Sequence, residues 1–257
     1  MHKQHIQNNF NKVAPNYLTN TNIQKITGLN IANLITKQNI KCDSDCRMLD
    51  LGSGPGSLLH TNLTMSNMIL YDISIAMLKQ GINQQQNNRV VGDAITLPFA
   101  DNSFDYVISN LMLQWVIDKN LVFNELYRIL KPQGKIILTV LVKPSLWQLQ
   151  QVWQEIDGNS HTLNFITDDE LKSLVFQNNL TITEITNTEH IMQFNSYNNI
   201  MKHFKNSGTS ITKQHSKGLY TKNTINKVHE LYNTKFGLNG CLPLSYHYLA
   251  VVMNKGL

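Results

Sequence analysis

The residues best suited to chemistry sit at the ends of short apolar runs. Asp50-Leu51-Gly52-Ser53-Gly54-Pro55-Gly56 joins an acid to three closely spaced glycines. Glycine lets a backbone turn tightly and approach a ligand where any Cβ would collide. The spacing is G-x-G-x-G, and Ser57 stands where a dinucleotide fingerprint would end in Gly or Ala. A pyrophosphate site is therefore a poor fit. Asp72 follows about twenty residues later, where an acid can accept from both ribose hydroxyls. Asp93 can accept from an exocyclic amine such as adenine N6, and the Ala94 amide can serve a ring nitrogen. Ile73 and Met77 could wall the base, although core packing explains them almost as well. Asp50 either binds a ligand ammonium or organises the turn through water.

These residues need a scaffold that brings strand ends together. Strands are expected at 47–51, 67–72, 89–92, 103–109, 135–142, 181–194 and 244–253. Helices are expected at 21–37, from Ser57 onward, from the Ser74 cap through Leu78, at 120–130 and at 144–156. Lys131-Pro132-Gln133-Gly134 stops one helix, and Thr167 with Glu170 forms a capping box that starts another. Alternating strands and helices imply right-handed crossovers and a mostly parallel seven-stranded sheet with helices on both faces. Each candidate residue then lies at a strand's carboxyl end, where open α/β sheets bind ligands. A single domain over 1–257 is expected, with an irregular or helical arm at 1–20. Two helices around a loop at 207–218 form an insertion, 196–236, placed before the last strand and over the site.

The glycine turn and the ordered acids resemble the first motifs of class I S-adenosylmethionine (SAM)-dependent methyltransferases, a Rossmann-like fold. The likeness then narrows. Ser109-Asn110-Leu111-Met112-Leu113-Gln114-Trp115 and Glu125-Leu126-Tyr127-Arg128-Ile129-Leu130 are similar to the malonyl-acyl carrier protein O-methyltransferases of biotin synthesis. So are Phe10-Asn11-Lys12-Val13-Ala14-Pro15-Asn16-Tyr17 on the arm and Leu242-Pro243-Leu244-Ser245-Tyr246-His247 near the end. The resemblance covers about 10 to 253. One departure is Ser53, where relatives often carry Cys or another small residue.

This resemblance implies SAM as co-substrate, with Asp50, Gly52, Gly54, Gly56, Asp72, Ile73, Met77, Asp93, Ala94, Asn110 and Leu111 forming its site. Asn110 and Leu111 would lie beside the methionine portion and the sulfonium. The acceptor would be the free carboxylate of a malonyl thioester on an acidic acyl carrier protein. That carboxylate is ionised at neutral pH, so no general base is needed. A group must still orient one of its oxygens. Tyr17, Gln114, Trp115 and Lys143 are the candidates, while Lys202 and Lys205 suit either that task or docking of the carrier. Methylation of a small quinone precursor at carbon is the main competing reading. Modification of a protein arginine would need an acidic pocket, and a nucleoside-binding fold without catalysis would not need the intact turn and acids.

Composition narrows the partners. The 257 residues carry a net charge of +5, with 42% hydrophobic and 15% charged residues. The basic balance steers an acidic partner. No basic run with interleaved aromatics points to nucleic acid, and no apolar run approaches a membrane span. Three cysteines, Cys42, Cys46 and Cys241, argue against a disulfide framework and for a reducing cytoplasm. With His60 the only histidine near the pair, no metal site is expected.

Overall fold

The structure is a computed structural model that describes residues 3–19, 21–41, 45–58, 61, 63, 67–81, 88–209 and 221–256. The strands are β1 Met48–Leu51, β2 Met68–Asp72, β3 Asn88–Val91, β4 Phe104–Asn110, β5 Leu130–Leu141, β6 Leu180–Phe194 and β7 Leu242–Lys255. They form one seven-stranded sheet in the order β3-β2-β1-β4-β5-β7-β6. The first five pair in parallel, and β7 runs antiparallel between β5 and β6. The expected mostly parallel sheet is thus present. The order reverses between β1 and β4, so a crevice opens beyond the carboxyl ends of β1, β2 and β4.

The helices are α1 Lys3–Val13, α2 Asn22–Lys37, α3 Ile75–Leu78, α4 Lys119–Ile129, α5 Trp147–Asp157, α6 Asp168–Gln177, α7 Tyr197–Asn206 and α8 Lys222–Phe236. The two faces of the sheet bury alternate residues of each strand. Leu49, Leu51, Val107, Ile136 and Leu138 pack with α4 and α6 on one face. Met48, Leu70, Ile108, Ile137 and Val252 pack with α2 on the other. A third cluster joins α5, α7 and α8 to Leu244, Tyr246 and Tyr248 of β7. Ser74 caps α3, and Thr167 and Glu170 form both bonds of the capping box that opens α6.

The arm, for which an irregular or helical form was expected, is helical from Lys3 to Val13 and continues as a 3-10 segment, Ala14–Thr19. Other expectations need correction. Ser57 and Leu58 form a turn, and most of the helix expected beyond them falls outside the described residues. Helix α5 starts three residues late because Leu146 takes a left-handed backbone, φ 61°, which a helix cannot include. Helices α7 and α8 stand between β6 and β7, and most of the loop between them is likewise outside the described residues. Cys46 is disulfide-bonded, which removes the cysteine argument for a reducing compartment, while Cys241 is free. Among the described residues, no helix is long and apolar enough to cross a membrane, and no cluster of His, Cys, Asp and Glu could hold a metal.

Candidate functional site

A cavity of about 370 Å³ lies beyond the strand ends. Its floor is the glycine turn. Asp50, fully buried, does not line it. Its Oδ2 accepts from the Ser57 amide at 2.7 Å and its Oδ1 from the Ser57 hydroxyl at 2.6 Å. Asp50 therefore closes the turn directly, without water. Burial pushes its pKa up to about 7, against the lowering effect of both Ser57 bonds. Gly52 has φ 67°, and a Cβ there would run into the Met112 side chain. Gly54 has φ 55°, and a Cβ there would meet nothing nearer than the Tyr17 ring at 3.9 Å. Gly56 also lies at positive φ and lines the cavity. The turn thus presents bare backbone to the space above it.

Asp72 ends β2 and faces that space. Oδ2 accepts from the Gly54 amide and Oδ1 from the Ser74 amide, both at 2.8 Å. Each oxygen keeps a lone pair for a further donor. Desolvation raises its pKa, opposed by the amide bonds. Ile73, Met77, Asp93 and Ala94 continue the same wall. Asp93 is already engaged by the arm, its Oδ2 lying 2.7 Å from Lys3 Nζ.

Helix α1 therefore covers this end of the cavity. Gln7 donates to the Ile73 carbonyl at 2.8 Å, and Ser74 donates to Asn11 at 2.6 Å. Phe10 meets Trp115 edge-on at 5.2 Å and Tyr17 at 6.4 Å. Tyr17 lies between the arm and the glycine turn. Burial, with the Asp72 charge adding to it, raises its pKa, so the phenol keeps its proton.

The middle of the cavity is bounded by Asn110, Leu111, Gln114 and Trp115. The Asn110 side chain is spent on the protein. Its Oδ1 accepts from Thr27 and Thr139, each at 2.7 Å, and its Nδ2 donates to the Gln24 carbonyl at 2.9 Å. It pins α2 to the sheet and leaves only its main chain for a ligand. Gln114 donates to the Leu111 carbonyl at 2.6 Å, which orients its amide. Its Oε1 is buried without a partner, and so is Oε1 of Gln24, which also lines the cavity. Buried acceptors of this kind call for a donor from a ligand.

The far end is bounded by Leu146, His161, Leu163, Phe165, His203, Phe204 and Tyr246. Three expected lysines are not brought to the cavity. Lys143 lies in an exposed turn after β5, where its amide donates to the Ile166 carbonyl. Lys202 and Lys205 point outward from α7, whose inner face buries Ile200 and Phe204. Sequence reasoning missed Lys3, Gln24, His203 and Tyr246 as cavity residues. Only the helical spacing of Tyr197, Ile200 and Phe204 could have hinted that His203 turns inward.

This arrangement fits an adenosyl sulfonium ligand. Asp72 retains acceptor capacity for two hydroxyls, and Gly54 leaves the space a Cβ would narrow. The orphaned Gln24 and Gln114 oxygens suit a cationic group such as an ammonium better than a carboxylate. Asp93 is within reach of an amine if it shares its charge with Lys3.

Known proteins resemble this chain in sequence and in fold. A methyltransferase domain family matches residues 49–138. The chain is similar to the malonyl-[acyl-carrier protein] O-methyltransferase of Hahella chejuensis, 27% identical over 98% of this chain and 91% of that protein. It is 31% identical to the enzyme of the same name from Erwinia billingiae, over 66% of this chain and 67% of that protein. A biotin biosynthesis bifunctional protein BioHC from Teredinibacter turnerae matches 99% of this chain at 26% identity, and the chain spans 47% of its length. Among solved structures, the geranyl diphosphate C-methyltransferase of Streptomyces coelicolor, bound to S-adenosyl-L-homocysteine, shares the fold. Its TM-score is 0.53 at 14% identity, over 87% of this chain and 78% of that one.

Proposed function

The chain belongs to the malonyl-[acyl-carrier protein] O-methyltransferase family, and on that premise we propose that it methylates the free carboxylate of a malonyl thioester carried by an acyl carrier protein. SAM is the methyl donor, no metal takes part, and the step stands early in biotin synthesis. The observation that carries the reading is one continuous cavity. Its near end has the Asp72 carboxylate and bare glycine backbone, and its far end has apolar walls set with histidine, tyrosine and hydroxyl side chains. When bound, the co-substrate supplies a methyl group already activated on positive sulfur.

The chain's own residues have three tasks. Asp72, Ile73, Met77 and the glycine turn fix the nucleoside, which sets the position of the sulfur. Gln24 and Gln114 accept from the cationic portion. Helix α1 and Trp115 exclude water from above, and α7, within the 196–236 insertion, walls the acceptor side. A carboxylate nucleophile needs no base. Alignment of nucleophile and methyl carbon is therefore the main contribution required, and such positioning can supply roughly 7–11 kcal/mol. Tyr17 stands over the turn with its phenol protonated, available to orient the acceptor.

The test is direct. The purified protein is incubated with SAM and malonyl-acyl carrier protein, and the carrier's intact mass is measured. A gain of one methyl group, lost on ester hydrolysis, is expected. The Asp72→Ala variant should keep the fold and lose SAM binding by calorimetry. No gain in a preparation that binds SAM would reject the malonyl reading and redirect the search to small-molecule acceptors.

A further inference from the structure

The far end of the cavity contains a polar pair that the methyl donor's site does not use. His203 comes from α7 and Tyr246 from β7, and His203 Nε2 lies 2.8 Å from the Tyr246 hydroxyl. The imidazole is enclosed by rings, with Phe194, Phe204 and Tyr246 centroids at 5.4, 5.5 and 6.1 Å. A neutral imidazole and a phenol hold two hydrogens between them. One lies in their mutual bond. The other is left to donate, and neither side chain makes another side-chain hydrogen bond among the described residues.

The remaining polar groups at this end are committed. His161 is bonded to Asp157 at 2.7 Å, and a second carboxylate beside Asp157 would be repelled. The Ser207 hydroxyl donates to the His203 carbonyl at 2.9 Å. Thr162 accepts from Gln150 at 2.8 Å and donates to the Leu163 carbonyl at 3.3 Å. The one lysine or arginine among the described lining residues is Lys3, which is paired with Asp93 under the arm.

We propose that His203 and Tyr246 hold the acceptor's carboxylate, donating to one oxygen and leaving the other to take the methyl group. This rests on the malonyl reading above and adds the residues that select for a carboxylate. A neutral donor suits the chemistry. The O–CH₃ bond forms as the S–CH₃ bond breaks, its electron pair goes to sulfur, and no proton moves. Carboxylate and sulfonium charges both vanish along this path. A fixed cation at the carboxylate would stabilise the ground state more than the transition state and slow the reaction. Burial holds the His203 pKa down at about 4, so the imidazole is uncharged at neutral pH. The Tyr246 pKa is raised, mainly by burial, so the phenol also keeps its proton. The ester product has lost the charge that the pair favoured, which aids its release.

The test compares wild type with Tyr246→Phe, His203→Leu and His203→Gln. It measures the KM for malonyl-acyl carrier protein, inhibition by acetyl-acyl carrier protein, which lacks the carboxylate, and SAM affinity by calorimetry. Tyr246→Phe and His203→Leu should raise the malonyl KM about ten- to a hundredfold, the range for a hydrogen bond to a charged group. Acetyl inhibition and SAM affinity should stay unchanged, and His203→Gln, which keeps a donor, should recover most of the loss. An unchanged malonyl KM in both donor-less variants would overturn the proposal. So would a loss shared equally by malonyl and acetyl carriers, because the pair would then be structural. Absence of methylation by the wild type would instead reject the malonyl reading itself, and the proposal with it.

Discussion

Two carboxylates at neighbouring strand ends differ in task because their partners differ. Asp50 is enclosed by Ser57 and serves the turn, whereas Asp72 receives two backbone amides and keeps one side open to the cavity. The same logic applies to His203, whose surroundings favour the neutral ring. Its folded-state pKa of about 4 lies below the ordinary value of 6.5. Between those values the unfolded chain binds more protons than the folded one, so stability rises with pH across the window. The contribution is complete above about 6.5 and is lost as pH falls towards 4. Asp50 acts in the opposite sense, because its raised pKa makes the folded state the better proton binder between 3.8 and about 7. The comparison must therefore be made against a variant that changes His203 alone. Chemical denaturation of wild type and His203→Gln should give a constant stability difference above pH 6.5. Below it, the difference should shift progressively in favour of the variant. A difference independent of pH down to 4 would show that the imidazole is not disfavoured as a cation.

Helix α1 acts as an element rather than through one residue. Its bond from Gln7, its bond to Asn11, the Phe10 ring contacts and the buried Ile6 all fasten it across the Asp72 end of the cavity. The Lys3–Asp93 pair is the weakest part, since the lysine side chain is 62% exposed and solvent screens it. Deletion of residues 1–13 should therefore weaken SAM binding by about tenfold or more, from the loss of two hydrogen bonds and the apolar cover. Lys3→Ala should change it less than about threefold. Equal effects in calorimetry would mean that the ion pair, not the helix, retains the ligand. The arm also marks where sequence reasoning reaches its limit. The glycine turn, Asp72 and the Thr167 box were legible because each signal is local: positive φ favours glycine, and a cap sits three residues from its partner. The seven strands were legible from apolar runs. The arm's seat against Ile73 and Ser74 depends on pairs more than sixty residues apart, and the His203–Tyr246 bond on a pair 43 apart. No local pattern encodes such pairs. Asn110 was expected at the site from its place after β4, but its bonds to Thr27 and Thr139 arise only when α2 meets the sheet.

At the scale of the whole molecule, charge and shape divide α7 between two surfaces. Its inner face carries Phe204 and His203 to the cavity wall, and its outer face exposes Lys202 and Lys205. With a net charge of +5, the protein attracts an acidic macromolecule from a distance. Exposed lysines contribute little to stability but much to orientation and association rate. Reversing both, Lys202→Glu with Lys205→Glu, takes four units from the net charge, so +5 becomes +1. The KM for a carrier-bound substrate should rise about tenfold at low ionic strength. The gap to wild type should then close as salt approaches 1 M, where screening falls to about 3 Å. A coenzyme A thioester presents the same malonyl group without the acidic protein, so its KM should not move. An equal rise for both substrates would place the lysines at the thioester rather than at the carrier, and salt-independence would remove electrostatic docking altogether. The inner and outer faces of one helix can therefore be tested separately: His203 by the presence of a carboxylate on the substrate, the lysines by the presence of a protein behind it.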